Sequence, residues 1–152
     1  MMNPWAKGWV VAGLMAMACG AQAAGIKVEN VWAAATVPGQ TVGGAYMTIT
    51  SPVAAVLVGA QSEAAGRTQI HKMAMVQGVM EMRRIRSLAL PAGVPVVLGP
   101  GGYHLMLMAL KAPLKVGRQV PIVLTVRVGH RAERIQVTAQ VRPRSALVGM
   151  MR

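Results

Sequence analysis

The chain has 152 residues, enough for one domain with a sizeable core but not comfortably for two. Lys and Arg total 16 against four acidic residues, a formal charge of +12. With no Asp there is no Ser-His-Asp triad, and so few Glu leave little for paired-carboxylate chemistry, so the composition argues against an enzyme.

Taken in chain order, the first element is a targeting segment. In "MMNPWAKGWVVAGLMAMACGAQAA", Lys7 gives a short positive n-region and an apolar run extends from Trp9 to about Cys19. Ala21-Gln22-Ala23 then supplies small residues at cleavage positions. This is the pattern of a secretory signal over residues 1–23, cut after Ala23. The run falls short of the ~20 residues a membrane span needs, and no later segment reaches that length. An exported protein does not meet chromosomal DNA, so the basic charge does not argue for a nucleic-acid partner. The single cysteine, Cys19, lies inside this segment. Lipid attachment there is a minor alternative, because "AMA" lacks the usual Leu three residues before it. The mature chain then has neither disulfide nor thiolate.

Residues 24–142 read as one domain of short strands. Gly and Pro punctuate runs rich in Val, Ile, Thr and Leu. Strands are expected near 26–34, 43–50, 54–60, 67–75, 78–85, 95–98, 103–109, 120–128 and 133–141. In "PIVLTVRV", Ile122, Leu124, Val126 and Val128 share a face. In "ERIQVTAQV", Ile135, Val137, Ala139 and Val141 do the same, and "GHRA" joins the two as a hairpin. The pattern is that of an all-β antiparallel sandwich or barrel. Residues 143–152, "PRSALVGMMR", read as a flexible tail.

Three stretches hold most of the chemistry. "QIHKMAM" carries His71, Met73 and Met75 at alternate positions. "GVMEMRRI" carries Met80 and Met82. "GGYHLMLMAL" carries His104, Met106 and Met108 on one strand face, with Tyr103, Leu105 and Leu107 on the other. Before the tail, the mature chain has six of its seven methionines between residues 73 and 108; Met47 is the exception. Imidazole with thioether is a neutral, soft donor set. It favours Cu(I) over Zn²⁺, Ca²⁺ or Mg²⁺. Without Cys, a His₂Cys blue-copper centre cannot form. Met73, Met75 and Met108 read more readily as packing residues. Met80 competes with Met82, two residues away on the same face. His130 reads as a solvated turn residue. Arg83, Arg84 and Arg86 form a basic cluster that is either a solvated edge or a docking surface for an acidic partner or anionic membrane. Gly101-Gly102 read as the turn that presents His104.

His71 and Met82 have ten residues between them; Met82 and His104 have twenty-one; Met106 follows His104 after one. This spacing resembles that of the PCu(A)C periplasmic copper chaperones, H-x₁₀-M-x₂₁-H-x-M. "PGGYHLMLMAL", "PLKVGRQVPIVLTV" and "VWAAATVPGQTVGGAYMTIT" resemble the same family, and the likeness runs over about 26–142. It implies a cupredoxin-like β-sandwich or Greek-key barrel that holds Cu(I) through His71, Met82, His104 and Met106. It also implies a monomeric periplasmic carrier serving a copper-accepting oxidase subunit, in cytochrome oxidase assembly, or a thioredoxin-like assembly protein. Gln69 departs from relatives that often carry an acidic residue there. Two other readings stand beside this one: a metal-independent exported interaction module, and a copper storage or resistance protein.

Overall fold

The computed structural model describes residues 25–149. The expected signal segment and Cys19 lie outside the described residues. Among those described, no helix is long and apolar enough to cross a membrane.

Ten strands follow one another: β1 (Lys27–Ala34), β2 (Val42–Thr50), β3 (Ala55–Gln61), β4 (Ala65–Val76), β5 (Val79–Ile85), β6 (Leu88–Leu90), β7 (Val96–Leu98), β8 (Tyr103–Leu110), β9 (Gln119–Val128) and β10 (Arg131–Arg142). Each of the nine expected strands is present. The additional one, β6, has three residues and is too short to carry a period.

Hydrogen bonding links the strands in the order β5-β4-β8-β7-β2-β1-β10-β9-β3-β6, with β8 also pairing β2. Most pairs are antiparallel, as expected. Two are parallel, β1 with β10 and β7 with β8, so the sheet is mixed. The inward residues of nine strands meet in one apolar cluster. Ile70 of β4, near one end of the strand order, shares that cluster with Leu88 and Leu90 of β6 at the other end. A sheet whose two ends share a core has folded over on itself, which makes a sandwich.

Alternation explains the layering. Ile122, Leu124 and Val126 of β9 are fully buried, and Ala139 and Val141 of β10 lie opposite the same core. Each such Leu or Ile contributes roughly 1.5–3 kcal/mol by leaving water. Gly129-His130 closes the β9–β10 hairpin, with Gly129 at a φ of 60°. β5 is different: it ends the strand order and contributes no fully buried side chain.

The C-terminal segment departs from the flexible tail expected of it. Ser145–Gly149 form a short helix, α1. Ala146 and Leu147 pack on Trp32, Ala34 and Tyr46, a second small apolar cluster on the outer face of β1 and β2. This apolar cover from distant strands is what a reading of the local sequence misses.

Candidate metal centre

The site is built from the β4–β5 hairpin and β8. Gln77 and Gly78 join β4 to β5 with φ values of 50° and 79°. Positive φ at both central residues is the type I′ turn, whose twist matches that of the flanking strands. It fixes the register: Met75 opposite Met80, Met73 opposite Met82, His71 opposite Arg84. On the other side of β4, His71 stands opposite His104 and Gln69 opposite Met106. Directly opposed residues share a face, so His71, Met82, His104 and Met106 fall on one side of the sheet. Met73, Met75 and Met80 fall there too. A one-residue slip of β5 would send its two methionines to the other face.

β8 begins after a tight turn. Gly102 N–H donates to the Gly99 carbonyl at 3.1 Å, and Gly101 sits at a φ of 84° behind Pro100. Pro then Gly at the centre marks a type II turn. The Gly102 carbonyl accepts twice, from Met73 N–H at 3.0 Å and from His104 Nδ1 at 3.2 Å. A carbonyl can only accept, so Nδ1 carries the proton and Nε2 is left as a bare lone pair. That Nε2 is buried and has no hydrogen-bond partner; His104 is only 3% exposed.

His71 repeats the pattern with its nitrogens exchanged. Its Nε2–H donates to Gln69 Oε1 at 3.0 Å. Its Nδ1 is buried without a partner. The two rings lie 5.8 Å apart, centre to centre, inclined by 49°. A buried nitrogen lone pair without a partner is costly. Two of them side by side, each with its tautomer fixed by the other ring nitrogen, form the arrangement of metal-binding imidazoles. Burial pushes the His104 pKa down, partly opposed by the Gly102 carbonyl. Burial also lowers that of His71, and the positive charge of a protonated His104 and of Arg84 lowers it further. Both shifts favour the neutral ring that a metal requires.

His104, Met82, Met106 and Met73 line one cavity of about 290 Å³. His71 is not in its lining; it adjoins the cavity through the His104 ring. Met108 stands opposite Arg67, further along β8, and Met75 and Met80 stand further out on the hairpin. The far wall comes from residues the sequence did not single out. The Tyr46 ring lies 4.6 Å from that of Trp32 and 6.4 Å from that of His104. Gly44 makes room for it, because a Cβ there would stand 2.6 Å from the Tyr46 hydroxyl. The signal was present in the alternation of Gly44 and Tyr46 on the outward face of β2. Leu147 and Arg144 complete the wall from the C-terminal segment. A larger groove, about 500 Å³, lies between β3–β4 and β9–β10 and contains Arg67 and Arg134 but no His or Met.

Among the described residues, no three His, Cys, Asp or Glu side chains come together. The described residues therefore offer no such cluster to hard dications or structural zinc. A lone-pair nitrogen of His104 in a cavity with thioethers, with the His71 ring adjoining, suits a soft monovalent ion.

The architecture and this His/Met pocket define the class: a cupredoxin-like β-sandwich of the PCuAC type. More particularly, residues 26–141 match the model of the family described as "Putative lipoprotein LpqE-like", and the chain belongs to that family. A relative from Leifsonia xyli subsp. xyli, "Putative lipoprotein Lxx21020", is 38% identical over 106 residues, which is 69% of this chain. The aligned part spans 64% of that relative's length. Cu(I)-bound DR1885 from Deinococcus radiodurans, known from a solution structure, is 32% identical, with a TM-score of 0.61 over 84% of this chain and 85% of that one. The copper-bound PCuAC domain of PmoF2 has the same fold, with a TM-score of 0.65 over 80% of this chain and 95% of that one, at 24% identity.

Proposed function

We propose that this protein is an exported carrier of Cu(I), which it holds through His71, His104, Met82 and Met106 and hands to a copper-accepting protein. The observation that carries this reading is the pair of buried, partnerless ring nitrogens, His71 Nδ1 and His104 Nε2, on adjoining rings, with His104 sharing a cavity with the Met82 and Met106 thioethers. Copper is cargo here, so binding must be firm yet exchangeable. Neutral ligands without a thiolate meet both needs, since an acceptor's ligands displace the thioethers first, then the imidazoles. The similarity to copper-bound PCuAC structures supports the same reading. Delivery to a membrane oxidase copper site, directly or through a thioredoxin-like protein, follows from the family resemblance, as does a non-catalytic, monomeric role.

X-ray absorption on the copper-loaded protein tests the ligand set. Both nitrogen and sulfur are expected in the first shell, and a nitrogen-only shell would refute the thioether part. Cu(I) titration against a competing chelator should give one tight equivalent. His104→Ala and Met82→Leu should each weaken it at least tenfold. No stoichiometric uptake would point to a metal-independent interaction module, and several tight equivalents to storage.

The family description and the Leifsonia relative's name both contain "putative lipoprotein", which supports export. An unmodified mature chain starting at Ala24 is the expected result; a mass starting at Cys19 with acyl groups would instead establish lipid attachment.

A further inference from the structure

The face that holds the inner pocket does not stop there. Met73 and Met82 form one cross-strand pair, and Met75 and Met80 form the next pair outward, toward the Gln77-Gly78 turn. Opposed Cβ atoms in such pairs stand about 4.5–5.5 Å apart. Successive residues on one face are about 7 Å apart along a strand. The thioethers therefore run as a two-rung ladder from the His104 cavity to the hairpin tip.

The outer rung is exposed, Met75 by 65% and Met80 by 49%. Among the described residues, three methionines are exposed: Met75, Met80 and Met82, all on this face. Packing does not explain them, because none of the three belongs to either apolar cluster or packs against one. The one carboxylate of the hairpin, Glu81, stands opposite Ala74 on the other face, where it pairs with Arg83. The outer pair thus offers two soft neutral sulfurs with no hard anionic oxygen beside them. That environment selects a soft monovalent cation and gives Zn²⁺, Ca²⁺ or Mg²⁺ nothing to prefer.

We propose that Met75 and Met80 form a second, outer site for a soft monovalent ion, a way-station between solvent or an acceptor and the inner pocket. Two thioethers hold such an ion weakly, so it arrives and leaves quickly. Met73 and Met82, one rung inward, then receive it beside His104. The proposal rests on the soft-metal reading of the inner pocket, but the two readings fail separately.

The test uses Ag(I), a redox-inert soft monovalent ion, on the whole folded protein carrying methyl-labelled methionine. The first equivalent should shift the Met82 and Met106 methyl signals. Further Ag(I) should move Met75 and Met80 saturably and in fast exchange, whereas Zn²⁺ should move neither. The double variant Met75→Leu/Met80→Leu keeps apolar volume. It should leave the first equivalent's affinity unchanged, remove the second phase and slow loading of the inner pocket several-fold. Met75 and Met80 signals indifferent to excess Ag(I), or wild-type loading by the leucine pair, would overturn the proposal. In Met82→Leu/Met106→Leu, loss of the first phase with the outer signals still titrating upholds the outer site. Failure of the wild-type first phase, with Met75 and Met80 still responding, counts against the inner reading alone.

Discussion

At the scale of single residues, the two imidazoles carry the most testable consequence. Both are held below the ordinary histidine pKa of about 6.5, chiefly by burial. The unfolded chain protonates them near 6.5, while the folded chain keeps them neutral to lower pH. Between those two values the unfolded state binds more protons, so these two rings cost the metal-free fold stability as pH falls below about 6.5 and cost it nothing above. Denaturant titrations at pH 7.5 and pH 5 should show this loss, and a double His71→Gln/His104→Gln variant should flatten it. Metal uptake has the same sign: it should persist somewhat below pH 6.5 and fail once the rings protonate. Gln69 accepts the proton-bearing His71 nitrogen at 3.0 Å, so it orients that ring without adding charge.

At the scale of elements, the hairpin decides which side chains can meet. Gly78 sits at a φ of 79°, where a side chain costs about 1 kcal/mol. Gly78→Ala should lower Tm by a few degrees and weaken metal binding, because strain at the turn loosens the register that pairs Met73 with Met82. Calorimetry and a Cu(I) competition titration, run on the same variant, check both effects. This part of the molecule was largely legible in the sequence. Alternation gave nine strands and the shared face of His104 and Met106, and fixed spacing singled out His71 and Met82. The turn was less legible, because Gln-Gly is a weaker hairpin signal than Asn-Gly. The parallel β1–β10 and β7–β8 contacts were not legible at all: strand order depends on long-range packing, which no local period encodes.

At the scale of the whole molecule, the C-terminal segment joins the domain that holds the pocket. α1 covers Trp32 and Tyr46, and Leu147 reaches the cavity wall. From residue 24 onward Trp32 is the sole tryptophan, so its fluorescence reports this contact directly. Ending the chain after Pro143 should shift that emission to longer wavelength and cost about 1–3 kcal/mol of stability. It should also speed metal release by admitting water to the cavity; unchanged emission would show that α1 contributes no cover. The sequence concealed this because five residues of helix carry no period of their own, and their apolar partners lie about a hundred residues or more away. One oxygen, finally, ties the arrangement together. Since the Gly102 carbonyl accepts from both the β4 backbone and the His104 ring, the free ring nitrogen is already oriented in the folded chain. Ordering of this ring is thus complete once the chain has folded, so on the proposed reading an ion is taken up or released without refolding around His104.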